Sequence, residues 1–95
     1  MEIVRTHRYT VEETDVPELL ARRATLISAV RSSYPGLSEV RLTRLPNGTF
    51  TDAWRWDSAE QMQAALAAAG LPEAAAARAL TRDATAEDGE IVDER

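Results

Sequence analysis

Two kinds of hydrophobic spacing alternate along the chain, one typical of strands and one typical of helices. Residues 3–11 are dense in β-branched side chains and alternate with a two-residue period, which predicts a first strand. One face of this strand would carry Ile3, Arg5, His7, Tyr9 and Val11. Bulky residues then recur at helical spacing from Val16 to Tyr34, which predicts an amphipathic helix of about five turns.

The residues that flank this helix predict where it begins and ends. Asp15 is the expected N-cap, with Glu18 three residues later as the second member of a capping box. Tyr34-Pro35-Gly36 should end the helix, because the residue before proline leaves the helical region and Gly36 tolerates a positive φ. The arginines of this helix are expected to lie away from its apolar stripe: Arg22, Arg23 and Arg31.

A hairpin is predicted next, with strands at residues 39–45 and 49–56. Between them, Asn47-Gly48 favours a type I′ turn, since both residues tolerate positive φ. The second strand of the hairpin alternates large and small side chains. Its large face would carry Phe50, Asp52, Trp54 and Trp56.

The remaining third of the chain predicts two helices and a last strand. Ser58 and Gln61 form a capping box for a helix from Ala59 to Ala69. Pro72 occupies the first turn of a shorter helix that reaches Leu80. Residues 84–93 are predicted as a strand mainly because the order β-α-β-β-α-α needs a fourth strand to complete a sheet. The chain is therefore expected to form a single α+β domain over residues 1–95.

Charge is concentrated at one end of the chain. Residues 1–82 carry ten acidic residues and ten arginines, whereas residues 83–95 carry six acidic residues and one arginine, which accounts for the net charge of -5. An acidic segment repels phosphate backbones, so nucleic acid is not an expected partner. With no cysteine and one histidine, the chain offers no thiolate site, and no metal site is expected.

The apolar runs are too short for a membrane protein. None approaches the ~20 residues of a membrane span. Residues 1–5 also lack the basic-then-apolar layout of a signal peptide. The sequence therefore predicts a cytoplasmic protein with no membrane partner.

A set of short segments carries a family resemblance. In chain order they are Arg8-Tyr9-Thr10-Val11, Tyr34-Pro35-Gly36-Leu37, the strand from Val40 to Leu45, Asn47-Gly48, and Trp56-Asp57-Ser58-Ala59-Glu60. In this order and spacing they resemble the antibiotic biosynthesis monooxygenase-like domains of the dimeric α+β barrel superfamily. The resemblance implies a ferredoxin-like four-stranded antiparallel sheet with helices on one face, paired with a second copy in a homodimeric barrel.

The resemblance also implies a function. Members of the family that are enzymes oxidise phenolic or anthrone-like aromatics with molecular oxygen, using no metal or flavin, in a cavity between sheet and helices. Related members degrade haem, with a histidine on the helix after the tryptophan strand as the iron ligand. Here the corresponding stretch, Ala59 to Leu66, has no histidine, which argues against haem degradation. The expected function is that of a cofactor-independent monooxygenase with an aromatic small-molecule substrate.

Oxygenation without a cofactor requires a base, a flat apolar wall and the exclusion of water. His7 is the first candidate base, because its ordinary pKa of ~6.5 suits proton abstraction at neutral pH. Asp52 is the second candidate, provided that burial makes it basic enough. Trp54 and Trp56 point to one side of their strand and would form the wall. The alternatives are a surface histidine, a carboxylate paired with an arginine, and tryptophans that only fill the core.

Three further side chains are candidates for substrate binding. Arg5 and Tyr9 share the face of His7, so the arginine would hold the anion and the tyrosine would bond a substrate oxygen. Gln61 would hydrogen-bond the substrate from the next helix, although capping alone also explains it. The competing hypothesis for the whole chain is a non-catalytic dimeric domain that binds a small molecule or serves as an accessory subunit, because no catalytic motif stands out.

Overall fold

The structure is a computed structural model that describes residues 1–67 and 70–95. Its strands are β1 (Ile3–Thr10), β2 (Leu37–Arg44), β3 (Phe50–Trp56) and β4 (Arg82–Glu90). Its helices are α1 (Val16–Ser33), α2 (Ala59–Ala67) and α3 (Pro72–Arg78), and a 3₁₀ turn, Glu13–Asp15, leads into α1. The predicted end of α2, Ala68 and Ala69, lies outside the described residues.

The four strands form one antiparallel sheet in the order β2-β3-β1-β4. Every second side chain of β3 is buried, from Phe50 to Trp56, whereas the side chains between them are half-buried. The helices cover the buried face. The ferredoxin-like α+β fold predicted from the sequence is thereby confirmed.

Two apolar clusters occupy the covered face of the sheet. The larger one joins Trp54 and Trp56 to the end of α1 and the start of α2, and the smaller one consists of Tyr9, Leu19 and Phe50. Asp52 lies between Phe50 and Trp54 on β3, and it is the buried polar residue of the described chain. The core is therefore divided by a polar layer in its middle.

Asp15 occupies the N-cap position of α1, as predicted, but the predicted capping box does not form. Asp15 makes no side-chain capping bond, and its φ of -92° and ψ of -6° are helical. The reason is that the 3₁₀ turn runs directly into the helix, with the Asp15 amide donating to the Glu12 carbonyl at 2.8 Å. An N-cap residue needs an extended backbone so that its side chain can reach the first free amides.

The predicted type I′ turn is also wrong. Gly48 has φ of +87°, but Asn47 is not in the positive-φ region. The turn closes one residue earlier, with the Gly48 amide donating to the Leu45 carbonyl at 2.9 Å. Pro46 explains the shift, because its fixed φ fits the first central position of a type I turn, and the glycine then follows in the left-handed region.

The last strand begins at Arg82 and ends at Glu90, earlier than the predicted 84–93. All nine of its residues are exposed, so no hydrophobic alternation marks its ends. Its bounds are set instead by pairing with β1, from Ile3 opposite Glu90 to Thr10 opposite Arg82.

Candidate functional site

A cavity of about 230 Å³ lies between the sheet and the helices. The predicted site residues that line it are Arg5, His7, Tyr9, Asp52, Trp54 and Trp56. They come from β1 and β3, which are neighbours in the sheet and pair His7 with Asp52 and Arg5 with Trp54. Because side chains two residues apart share a face of a strand, the local alternation of each strand aims all six at one space.

Asp52 is held by more partners than any other side chain on the cavity wall. Its two oxygens accept four hydrogen bonds: one from the Tyr9 hydroxyl at 2.8 Å, one from the Trp54 indole N–H at 3.0 Å, and two from the Arg23 guanidinium at 2.9 and 3.0 Å. Arg23 reaches it from α1, and the two side chains are 14% and 6% exposed. Of the two alternatives drawn from the sequence, the arginine-paired carboxylate is the one observed.

Tyr9 is committed to this carboxylate as a donor. Burial and the neighbouring Asp52 charge raise the pKa of the phenol well above its ordinary value, and the hydrogen bond to Asp52 acts in the same direction. The hydroxyl therefore stays protonated at every physiological pH.

His7 is half-buried, and its ring meets Trp54 edge to face, with 6.4 Å between ring centroids and 77° between planes. Burial lowers the pKa of the imidazole below 6.5, and Arg5 and Arg78 act in the same direction, while Asp52 and Asp88 oppose them. The imidazole is therefore neutral at pH 7 and has a nitrogen free to accept a proton.

Two arginines bring positive charge to the cavity. Arg5 donates through Nη1 to both carboxylate oxygens of Asp88 on β4, each at 2.9 Å, and its buried Nε has no partner. Arg78, at the end of α3, is exposed and lines the cavity. Within the described chain, no carboxylate lies within 4.0 Å of the Arg78 guanidinium, so its charge is not compensated by an ion pair.

The two tryptophans serve both of the roles considered from the sequence. Trp54 is 9% exposed and Trp56 is 4% exposed, and both belong to the larger apolar cluster. Both also line the cavity. The two rings are therefore held in place by core packing where they line the cavity.

Gln61 lies apart from the other predicted site residues. Its backbone N–H donates to the Ser58 hydroxyl at 3.2 Å, which confirms Ser58 as the N-cap of α2. Its side chain, however, lies over Gly36, where an added Cβ would come 1.5 Å from Oε1. Gly36 therefore serves this close approach, and its φ is not positive as the sequence had suggested.

Two charged residues of the cavity wall were not among the predicted site residues, Arg23 and Arg78. Arg23 was expected away from the apolar stripe of α1, which is wrong, because its side chain is only 14% exposed and pairs with Asp52. A signal existed in the spacing of Leu19, Arg23, Leu26 and Val30, which places all four on one helical face. Arg78 carried no such signal, because its proximity to His7 depends on how α3 packs.

Several solved structures have an architecture similar to this one. No protein-family model matches the sequence, and no curated protein sequence matches it. Among solved structures, the fold is similar to SnoaB from Streptomyces nogalater, described as a cofactor-independent oxygenase, at 27% identity and a TM-score of 0.65 over 99% of this chain and 94% of that one. A single-residue variant of SnoaB gives 24% identity and a TM-score of 0.79 over 98% and 95% of the two chains.

A second similar structure comes from Deinococcus radiodurans and is described as a proposed antibiotic biosynthesis monooxygenase. It shares 16% identity and a TM-score of 0.75, with 98% of this chain and 95% of that chain covered. The chain has the antibiotic biosynthesis monooxygenase-like fold. The resemblance found in the short segments of the sequence is thereby confirmed.

One further similar structure holds a porphyrin. A variant of MhuD, with manganese protoporphyrin IX bound, shares 23% identity and a TM-score of 0.69 over 98% of this chain and 97% of that one. In the present chain, residues 1–67 and 70–95 bring no three His, Asp or Glu side chains together as metal ligands. No helix in the same residues is long and apolar enough to span a membrane.

Proposed function

We infer that this protein is a cofactor-independent monooxygenase that oxidises a phenolic or anthrone-like aromatic molecule with molecular oxygen. The observation that carries this proposal is the half-buried imidazole of His7 on the wall of an otherwise largely aromatic and aliphatic cavity, where burial lowers its pKa. The similarity to SnoaB supports the reaction type.

The chemistry assigned to the cavity needs only a base and oxygen. His7 takes a proton from an acidic carbon or phenol of the substrate and leaves an electron-rich anion. That anion gives one electron to O₂, and the resulting pair combines to a peroxide, which His7 reprotonates. Loss of water from the peroxide converts a CH₂ group to C=O, so one O₂ is consumed and one H₂O is released for each product.

The roles of the other residues follow from their contacts. Trp54 and Trp56 hold the flat ring, and packing keeps them in place. Arg78 stabilises the anion, because it lines the cavity and has no ion-pair partner among the described residues, whereas Arg5 lines the cavity but shares its charge with Asp88. Asp52 is a weaker candidate base than His7, because its oxygens are fully engaged by Tyr9, Trp54 and Arg23.

The proposal is tested by dissolved-oxygen uptake with an anthrone, without added flavin or metal. Uptake above autoxidation, one O₂ for each quinone formed, is expected from the wild type. It should fall by about 10²- to 10⁴-fold in His7→Ala, the usual contribution of a general base. Gln63→Ala, an exposed change on α2, is the matched control and should leave the rate unchanged.

Two outcomes would contradict the proposal. Uptake that persists in His7→Ala would show that His7 is not the base. Uptake at the autoxidation rate for several phenols and anthrones would show that the protein does not catalyse this reaction. Aromatic binding without uptake would then favour the non-catalytic binding domain.

We also propose that the protein is a homodimer joined through the open face of its sheet. The chain exposes 6014 Å², whereas a compact monomer of 10.5 kDa is expected to expose about 5,400 Å². The open face presents half-buried Val4, Thr6 and Ala53, which a second copy would cover. Light scattering at micromolar concentration should give twice 10.5 kDa, and a particle of 10.5 kDa would contradict the dimer.

A further inference from the structure

The hydrogen bonds around Asp52 fix the direction of every bond that Tyr9 can make. A carboxylate accepts hydrogen bonds and donates none, and a tyrosine hydroxyl has one proton to donate. That proton lies in the 2.8 Å bond from Tyr9 to Asp52 Oδ2. The phenolic oxygen therefore meets a further partner only through its lone pairs.

Arg23 and Asp52 keep this direction from reversing. The two bonds from the Arg23 guanidinium hold both carboxylate oxygens, so the carboxyl group cannot rotate away from Tyr9. Trp54 adds a third restraint through its indole N–H. These four side chains all line the cavity, so the fixed polarity faces any molecule bound there.

We propose that Tyr9 is a specificity-determining residue that accepts a hydrogen bond from a hydroxyl group of the bound aromatic molecule, with Arg23 and Asp52 as its positioning residues. The inference rests on the proposed function in treating the cavity as the site of an aromatic ligand. It adds that the ligand must be a donor at this point, so a phenol is preferred to the matching ketone or quinone.

The same geometry gives the ligand an orientation. His7 and Tyr9 lie two residues apart on one face of β1, which separates their Cα atoms by about 7 Å. A hydroxyl donor at Tyr9 therefore leaves the acidic position of the ring facing His7. A substrate would carry these two groups at different points of the ring system, and the product, once oxidised at the His7 end, would keep its hydroxyl at the Tyr9 end.

Anaerobic binding of two ligands of matched shape tests the inference without any oxidation. The dissociation constants of 2-naphthol and 2-methylnaphthalene are measured by calorimetry for the wild type and for Tyr9→Phe. The preference for the hydroxyl should be about tenfold greater in the wild type, the size of one net hydrogen bond. Tyr34→Phe makes the same substitution outside the cavity lining and should keep the wild-type preference.

The two ligands and two proteins form a cycle that isolates the contact between the hydroxyl and Tyr9, because differences in hydrophobicity cancel. An equal preference in Tyr9→Phe overturns the inference, as does the failure of both ligands to bind the wild type. A second comparison needs no variant: the wild type should bind 1,4-dihydroxynaphthalene at least tenfold more tightly than 1,4-naphthoquinone. Equal or tighter binding of the quinone overturns the inference even if Tyr9→Phe does not fold.

The outcome is independent of the oxygenase proposal. Coupling between the hydroxyl and Tyr9 without oxygen uptake would support the role of Tyr9 and contradict the oxygenase proposal. Oxygen uptake without that coupling would support the oxygenase proposal and contradict the role of Tyr9.

Discussion

Replacing Arg23 with methionine should destabilise the protein strongly, because it would leave the Asp52 charge buried and uncompensated. The side chains are 14% and 6% exposed, so water screens neither of them well. Removing one partner of such a pair costs about 3–5 kcal/mol. A domain of this size has a total free energy of unfolding of about 5–14 kcal/mol, so the loss is a large fraction of the whole.

Urea denaturation followed by tryptophan fluorescence measures this loss directly, and thermal unfolding gives the matching change in melting temperature. At the lower limit of about 3 kcal/mol, the melting temperature should fall by roughly 12–24 °C. Arg41→Met is the matched control, because Arg41 pairs with Glu39 at 2.8 Å but its side chain is 74% exposed. An exposed pair contributes about 0–1 kcal/mol, so this variant should unfold close to the wild type.

A second substitution separates charge from lost packing. Asp52→Asn, added to Arg23→Met, removes the buried charge and keeps an oxygen that can accept from Tyr9 or Trp54. The double variant should therefore regain part of the lost stability. A loss of unfolding free energy below about 1 kcal/mol in Arg23→Met, or no recovery in the double variant, would refute the reasoning. Either result would mean that solvent screens the Asp52 charge.

Three smaller predictions concern single positions. The NMR titration of His7 should give a pKa below 6.5. The part of the free energy of unfolding that depends on His7 is present above pH 6.5 and should be lost as the pH falls through the folded pKa, because the unfolded chain takes up the proton first. A titration at or above 6.5, or a His7→Gln variant with the same pH dependence of melting, would contradict this. Ser58→Ala should lower the unfolding free energy by about 1 kcal/mol in urea titrations, since it removes the cap at 3.2 Å from the Gln61 amide, and no loss would mean that water replaces the cap. The unfolding free energy of Gly36→Ala in urea titrations should stay within about 1 kcal/mol of the wild type, because only the flexible end of the Gln61 side chain must move and the backbone at Gly36 is unstrained. A larger loss would show that the Gln61 side chain cannot move aside.

Most of the fold could be predicted because its signals are local. The alternation from Phe50 to Trp56 and the helical spacing after Val16 depend only on neighbouring residues, and the structure reproduces both. The limits of β4 could not be predicted, because an exposed edge strand has no buried face to give it a period. The type of the turn at Gly48 was predicted wrongly for another reason: Asn-Gly fits two turn types, and Pro46 decides between them.

The candidate site was predictable in part for the same reason. His7 and Tyr9, like Trp54 and Trp56, share a strand face by simple alternation. Which residues meet across elements depends on register and packing. Asp88 reaches Arg5 across 83 positions of sequence, and no local pattern specifies that contact.

Oxygen uptake as a function of pH tests the central claim most directly, namely that the neutral imidazole of His7 drives oxidation of an aromatic molecule in this cavity. With an anthrone and after subtraction of the protein-free rate, uptake by the wild type should rise with pH, with a midpoint below 6.5, and then level off as His7 loses its proton. The His7→Ala protein should show no such midpoint and a rate close to autoxidation, whereas Gln63→Ala should follow the wild type. The same midpoint and rate in His7→Ala, or no uptake by the wild type at any pH, would contradict the account.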